Sequence, residues 1–417
     1  MIQLIRGFKD ILPDEIYTWQ QIEKTATSLF KNFGFKEIRI PILERADLFA
    51  RSIGDNTDIV EKEMYTFPDR KGDLISLRPE ATASVVRSYI QHKLYAKDPV
   101  QKFYTIGPMF RRERPQKGRY RQFYQINAEV FGIDSPLIDT QLIFLVVTLF
   151  NKLKVSDINV HINSLGCPKC RPKFNDALSE FIAQKKVSFC PDCSRRSEKN
   201  PLRILDCKLP SCKTAVQDAP SIMNCLCSDC SNHFETVKHN LSNLGISFFV
   251  DQHLVRGLDY YTKTIFEIQT GSLGAQNAVA GGGRYDGLIK QLGGPDQPAV
   301  GFAIGLDRLS ELVLQHNNCI ANKPDIFIAA LGQNSKVAAF KWNIEFGLAG
   351  IHVEIDLSSR SLKSQMKRAN RLGAKHVLIV GDSELEEKKI ILRNMETKKQ
   401  VQIHIDCLTE KIKEYIK

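Results

Sequence analysis

The chain has 417 residues, 43% of them hydrophobic and 25% charged, a balance that suits two to four domains with ordinary buried cores and excludes a disordered chain. Its 58 lysines and arginines exceed its 47 aspartates and glutamates by 11, which fits a polyanionic partner such as a nucleic acid or nucleotide. Membrane insertion and export are not expected, because the longest apolar run, LIFLVVTLF at Leu142–Phe150, is too short to cross a bilayer and MIQLIRGFKDILPDE lacks a secretory pattern. Eleven cysteines then suit reduced thiols or metal ligands in the cytoplasm.

In chain order, Ile16, Trp19, Ile22, Ala26, Leu29, Phe30 and Phe33 recur at spacings of three and four, which predicts an amphipathic helix from Asp14 to Phe33. FKEIRIPILER reads as a strand closed by Pro41, and LISLRPE, KFYTIGPM and INAEVFG continue the strand pattern. An antiparallel sheet is therefore the expected centre, with LIFLVVTLF as a buried helix. From Cys167 to Cys230 the composition changes, and this stretch reads as an insertion holding nine of the eleven cysteines. Sheet-like sequence resumes at TIFEIQT, AVAGGGRYDG and AVGFAIGLDRL. A polar linker around Asn318–Pro324 leads to DIFIAALG, a helix to Gly347, IHVEIDL, a helix to Leu372 and HVLIVG. That βαβαβ order predicts a small parallel or mixed sheet covered by helices.

FRRERPQKGRYRQFYQ, residues 110–125, holds five arginines and a lysine. A solvated loop is one explanation. Strand alternation offers another, since it puts Arg121, Phe123, Gln125, Asn127 and Glu129 on one face and Tyr124, Ile126, Ala128 and Val130 on the other. The first face would be costly to bury without a polar ligand. No phosphate-binding glycine loop is present, and GGGRYDG lacks dinucleotide spacing. Arginines would therefore hold any phosphates, with Arg111, Arg121, Arg256 and Arg308 as candidates and Phe123 as an apolar plate for a purine. Gly281–Gly283 permit close approach to a ligand or make a mobile turn, and Gly301 and Gly305 either leave room for something flat or serve tight packing where a strand turns into a helix. Of Tyr260 and Tyr261, adjacent on a strand, one faces core and the other a ligand. Glu80 and Thr82 either grip an ammonium from an extended segment or belong to a helix N-terminus.

RGFKDILP, FRRERPQKGRYRQFYQINAEVFG, LVRGLDYYTKTIFE, AGGGRYDGL and GFAIGLDRL together resemble the bacterial-type histidyl-tRNA synthetases, a class II family, in the right order along nearly the whole chain. The resemblance implies an α+β catalytic core with an antiparallel sheet, of class II synthetase type, in residues 1–166 and 241–320. It also implies a small cysteine-rich helical insertion at 167–240 and a C-terminal α/β anticodon-binding domain at 324–417. The implied reaction joins L-histidine to its tRNA through histidyl-adenylate, with ATP as substrate, Mg2+ as cofactor and a homodimer as the working form. Carried over residue by residue, Glu80, Thr82 and Gln125 would hold the α-ammonium, and Glu129 and Tyr261 the imidazole nitrogens, with Tyr260 and Tyr285 beside them. Arg111 would meet the carboxylate and α-phosphate, and Arg256 the α-phosphate from the other side. Phe123 and Arg308 would sandwich the adenine, with Arg121 on the phosphates.

Cys167 and Cys170, Cys190 and Cys193, Cys207 and Cys212, and Cys227 and Cys230 have metal-ligand spacing. They are candidates for structural zinc, which does not define this family; reduced, partly buried thiols are the other possibility. Two further readings are a histidine-sensing regulatory paralogue on the same core and a zinc-dependent RNA-binding module. The paralogue fits less well with Arg111, Arg256, Arg308 and residues 324–417 all retained, and the RNA-binding module leaves the histidine-pocket groups without a use.

Overall fold

The computed structural model of the protein describes residues 2–416 apart from 56, 117, 186–188, 208, 274–276, 317–322 and 359, and leaves the side chain of residue 199 undescribed. The expected linker at Asn318–Pro324 thus lies, up to residue 322, outside the described residues. The chain divides into two compact units, Met1–Cys319 and Ile320–Lys417.

In the first unit the described strands, in chain order, are β1 Lys36–Glu37, β2 Leu43–Arg45, β3 Tyr65–Pro68, β4 Leu74–Leu77, β5 Gln101–Phe110, β6 Gln122–Phe131, β7 Asn159–Ser164, β8 Phe249–Val250, β9 Thr262–Gln269, β10 Ala278–Arg284 and β11 Ala299–Gly305. Eight of them form one sheet in the order β1-β5-β6-β11-β10-β9-β7-β8. Every pairing from β5 to β7 is antiparallel, and only the outermost pairs, β1 with β5 and β7 with β8, are parallel. Alternation along β6 sends Ile126, Ala128 and Val130 into a core shared with Trp19, Ile22 and Phe30 of helix Pro13–Asn32 and with Leu142, Val146 and Phe150 of helix Pro136–Lys152. The latter helix contains the longest apolar run, and Ser135 caps it by accepting from the Leu137 N–H. Among the described residues no helix is long and apolar enough to cross a membrane.

FKEIRIPILER, expected as a strand closed by Pro41, is a strand over two residues only before that proline. β1 ends at Glu37 and β2 starts only at Leu43, in a separate three-stranded sheet with β4 and β3. Proline cannot donate to a ladder, and here the carbonyls of Ile40 and Pro41 accept from Arg78 Nη1 instead. Gly281–Gly283 form no turn; they lie inside β10, between β9 and β11.

The cysteine-rich region is helical, with segments at Arg171–Gln184, Pro191–Lys199 and Pro210–Ala215 and a core of Phe174, Leu178, Ile182, Ile204, Cys193 and Cys212. Helix Ser228–Asn243, expected in large part within it, instead packs Phe234, Val237 and Leu241 into the main core, because its apolar stripe meets helix Pro136–Lys152.

The second unit has a five-stranded mixed sheet. Strands at Val353–Ile355, Ile326–Leu331 and His376–Gly381 run parallel, with helices Gln333–Leu348 and Leu362–Leu372 between them in sequence, and two antiparallel strands complete it. Helix Leu362–Leu372 is fixed to the sheet by Gln365, whose buried amide exchanges two hydrogen bonds with the Ala330 backbone.

Candidate active site

The face of the sheet opposite the helices opens on a cavity of about 270 Å³, which brings Glu80, Thr82, Arg111, Phe123, Gln125, Arg256, Tyr260, Tyr261, Tyr285 and Arg308 to one place. Phe123, Gln125 and Asn127 line it from β6 as alternation requires. Glu129 lies beneath the same wall, 1% exposed, and both its oxygens accept hydrogen bonds. Thr82 Oγ1 donates to Oε1 at 2.7 Å, and Tyr285 Oη donates to Oε2. The space for this carboxylate comes from Gly301, its direct cross-strand partner on β11, where a Cβ would stand 1.7 Å from Oε2. Gly301 therefore admits Glu129 rather than a flat ligand. Burial pushes the Glu129 carboxyl up to about 8 despite its two hydroxyl donors.

Glu80 sits at the start of helix Thr82–Gln91, and its two oxygens accept from the N–H groups of Thr82 (2.7 Å) and Ala83 (2.9 Å). The helix N-terminus is thus the correct local structure in place of an extended segment, and the carboxylate that serves it also lines the cavity. Burial raises its pKa. Tyr260 and Tyr261 precede β9 and escape strand alternation, so both line the cavity, contrary to the expected division into core and ligand contact. Their ring centres lie 4.8 Å apart, and Tyr260 meets Tyr285 edge-on at 5.5 Å.

The cations are held by backbone and carboxylates. Arg111 Nε donates to the Pro79 carbonyl at 2.9 Å, and its guanidinium lies over the Phe123 ring, 5.3 Å from the centroid. Arg308 donates through Nε to Gly118 O (3.0 Å) and through Nη1 to Ala278 O (2.6 Å). Arg256 pairs with Glu267 and rests on Gly281, where a Cβ would be 2.5 Å from its Cζ. The glycine triplet thus admits an arginine at close range. Against the opposing pull of burial, Glu267 and the nearby tyrosine oxygens hold the Arg256 pKa above its ordinary value.

Arg121 is the exception among the expected residues. β6 begins at Gln122, and Arg121 turns toward the N-terminal segment, donating to the carbonyls of Glu113 (3.3 Å) and Arg6 (3.2 Å) beside Arg112 and Arg114. It does not line the main cavity. Arg119, paired with Glu113, lines it instead, as does Asp307, whose carboxylate accepts from the Tyr124 N–H at 2.7 Å and is raised by burial to about 6. Nothing in the sequence separated Arg119 from the other four arginines of the hairpin. Asn127 was on the predicted face, so alternation alone identified it. Among the described residues Gln125 Oε1, Asn127 Nδ2 and Arg256 Nε are buried without a partner, and a polar ligand in the cavity would meet such groups.

All eight candidate cysteines fall into two groups, Cys167, Cys170, Cys227 and Cys230, and Cys190, Cys193, Cys207 and Cys212, with the sulfurs of each within 4.8 Å of one another. Cys167 Sγ is 3.7 Å from Cys170 Sγ and 3.9 Å from Cys227 Sγ. Four thiolates around zinc at 2.3 Å would be spaced by about 3.8 Å, whereas a disulfide needs about 2.05 Å. Backbone N–H groups of Cys227 and Cys190 donate to Cys170 Sγ (3.2 Å) and Cys212 Sγ (3.3 Å).

Comparison with known proteins gives a consistent picture. The family described as "Histidyl-tRNA synthetase" matches residues 7–309, and that described as "Anticodon binding domain" matches residues 325–415. The histidine–tRNA ligase of Desulforapulum autotrophicum is 60% identical over 413 residues, covering 99% of this chain and 97% of its own. That of Desulfatibacillum aliphaticivorans is 58% identical, with 99% and 98% covered. The crystal structure of apo S. aureus histidyl-tRNA synthetase superposes with a TM-score of 0.83 at 36% identity, covering 99% of this chain and 100% of that one.

Proposed function

The chain belongs to the histidyl-tRNA synthetase family, and from that premise we propose how its cavity carries out ATP-dependent charging of tRNA with histidine. Imidazole sits against Glu129, Tyr261, Tyr260 and Tyr285, and the α-ammonium meets Glu80, Thr82 and Gln125. The ATP phosphates lie among Arg111, Arg119 and Arg256, and Phe123 and Arg308 flank the adenine. The observation that carries this is the convergence of four arginines with a carboxylate-and-phenol pocket in one cavity, from segments as far apart as Glu80 and Arg308.

The amino acid's carboxylate is ionised at neutral pH, so its attack on the α-phosphorus needs no general base. What it needs is alignment of the reactants and fixed positive charge where negative charge builds. Arg111 and Arg256 supply that charge. Their guanidiniums are held in advance by Pro79 O and by Glu267, so little reorganisation accompanies the step. Pyrophosphate leaves, and the terminal ribose hydroxyl of the tRNA then attacks the adenylate. Imidazole offers two polar ring atoms, and a pocket that pairs both rejects apolar amino acids by on the order of 10⁴, so no editing site is required.

Mg2+ fits as a companion of ATP, since Glu113 lines this cavity and Glu267 lies beside it on Arg256, and such an ion takes one or two carboxylates beside phosphate oxygens. It would neutralise charge on the phosphates. Zinc fits the two thiolate groups on ligand number and sulfur spacing. The unit at 320–417 is the part we assign to the tRNA anticodon. A homodimer is supported by exposed Ile42, Leu43 and Leu74 near the three-stranded sheet, which such an interface would cover; sedimentation at micromolar concentration checks it. Reduced thiols suit the cytoplasm. Histidine-dependent ATP–pyrophosphate exchange tests the central assignment. Arg256→Gln lowers its kcat by about 10²–10³-fold, and exchange at the wild-type rate would overturn the role given to Arg256.

A further inference from the structure

We infer that the two four-cysteine centres act as a clamp on the histidine pocket. With metal bound they hold Arg171, Asn200 and Arg203 against the loop that carries Arg256, Asp259 and Tyr261. This rests on the zinc assignment above and extends it from structure to catalysis.

Residues 251–261 join β8 to β9 without helix or strand, so no ladder fixes the loop that delivers a phosphate-facing arginine and two pocket tyrosines. The core ties it at a few points, among them the Asp259 N–H to Ile53 O at 3.1 Å and Asn163 Nδ2 to Leu254 O at 3.0 Å, and three hydrogen bonds from the cysteine-rich region hold the part nearest the pocket. Arg171 Nη2 donates to the Tyr261 carbonyl, Asn200 Nδ2 to Asp259 Oδ1 at 2.9 Å, and Arg203 Nη1 to the Arg256 carbonyl at 3.0 Å. Leu202 adds apolar contact to both cores. The seam also encloses a cavity of about 260 Å³, so tight packing alone does not set its geometry.

Each of the three donors is carried on a segment that a cysteine centre anchors. Arg171 directly follows Cys170, and Asn200 and Arg203 lie in the segment between Cys193 and Cys207. That segment consists of helix Pro191–Lys199 and the 3-10 turn Pro201–Ile204, pieces too short to persist unaided. A metal joining Cys193 to Cys207 closes the segment into a loop, and the free energy of metal binding becomes order in the residues it encloses. The arms that grip the histidine loop are rigid only if the centres are filled. Arg171, Asn200 and Arg203 are therefore positioning residues, and none of them needs to touch substrate.

The experiment uses the full chain. Metal content is measured on purified protein, and pyrophosphate exchange is measured with histidine and ATP varied separately, before chelation, after it, and after zinc is restored. We expect two zinc ions per chain. Stripping should raise the histidine KM about tenfold, the loss of one or two hydrogen bonds' worth of order, and the ATP KM by a smaller factor, since Arg256 rides on this loop whereas Arg111 and Arg119 do not, with recovery of both on adding zinc. Arg203→Ala and Asn200→Ala in zinc-loaded protein should give the same split. Arg196→Ala, which frees the same region from Asp58 only, should leave the histidine KM unchanged. Protein with reduced thiols and no metal would end the zinc assignment. Two bound zinc ions with a histidine KM indifferent to stripping would overturn the clamp and leave the zinc assignment standing. Should stripping unfold the chain, Arg203→Ala and Asn200→Ala decide, and an unchanged histidine KM in both refutes the clamp.

Discussion

Replacing Glu129 by glutamine changes one buried oxygen to an amide and keeps the shape. In the wild type both oxygens accept, from Thr82 Oγ1 at 2.7 Å and from Tyr285 Oη. An amide nitrogen can only donate, so one hydroxyl must reverse or lose its partner, and no carboxyl remains that could ionise against a bound imidazole. The loss of one charge-assisted hydrogen bond costs about 1.5–3 kcal/mol, which lowers kcat/KM for histidine by about 10–150-fold. The ATP KM should stay put, because Glu129 is confined to the pocket floor beside Gly301. Stability should shift in the opposite sense. Burial raises the folded-state pKa of Glu129 from its ordinary 4.5 to about 8, so its contribution is fully present below about pH 4.5 and is lost as pH rises through about 8. Glutamine does not titrate. Urea unfolding at pH 5, 7 and 9 should therefore show the variant gaining on the wild type as pH rises, while pyrophosphate exchange shows its histidine defect. A histidine kcat/KM within threefold of wild type, an equal rise in the ATP KM, or parallel stability profiles would refute the reasoning.

Gly281→Ala places a Cβ 2.5 Å from the Arg256 Cζ; the side chain is flexible enough to swing away, so unfolding midpoints should move little while exchange kcat falls at least tenfold. Arg119→Ala should raise the ATP KM about tenfold or more, whereas Arg121→Ala, whose guanidinium serves Arg6 and Glu113 carbonyls, should change it less than threefold; steady-state exchange separates the two. Asp139→Ala removes the carboxylate paired with the wholly buried Arg284 and should cost about 3–5 kcal/mol in urea unfolding, with substrate KM values unchanged in the folded fraction.

Much of the fold was legible because its signals are local. The helix spacing from Ile16 to Phe33 and the alternation from Phe123 to Glu129 each need only a few neighbouring residues, and both appear in the structure as helix Pro13–Asn32 and strand β6. The polar face of β6, Glu80 with Thr82, and the Tyr260–Tyr261 pair were legible as residue types suited to a polar ligand, and they meet around one cavity; their assignment to histidine, and Tyr285 with it, came from the family resemblance. Arg121 was misplaced where the local rule ran one residue past the end of its strand. Tyr260 and Tyr261 were divided between two faces by a rule that does not apply before β9 begins. The glycines were recognised as close-approach positions, but what approaches them, Arg256 at Gly281 and Glu129 at Gly301, comes from segments 25 and 172 residues away in sequence.

The chain by itself determined most stretches that become helix or strand, that arginines, carboxylates and aromatic residues suited to a polar ligand recur in separate segments, and that cysteines come in pairs at metal-ligand spacing, because spacing and chemical type are properties of neighbours. Only the tertiary structure decided which arginines of the hairpin face inward, that Cys167 and Cys170 close with Cys227 and Cys230 and not with the nearer Cys190 and Cys193, and that the cysteine-rich region grips the loop beneath Arg256 and Tyr261. Those are matters of where distant segments come to rest, set by burial and hydrogen bonding summed over the whole core, and no window of adjacent residues contains that sum.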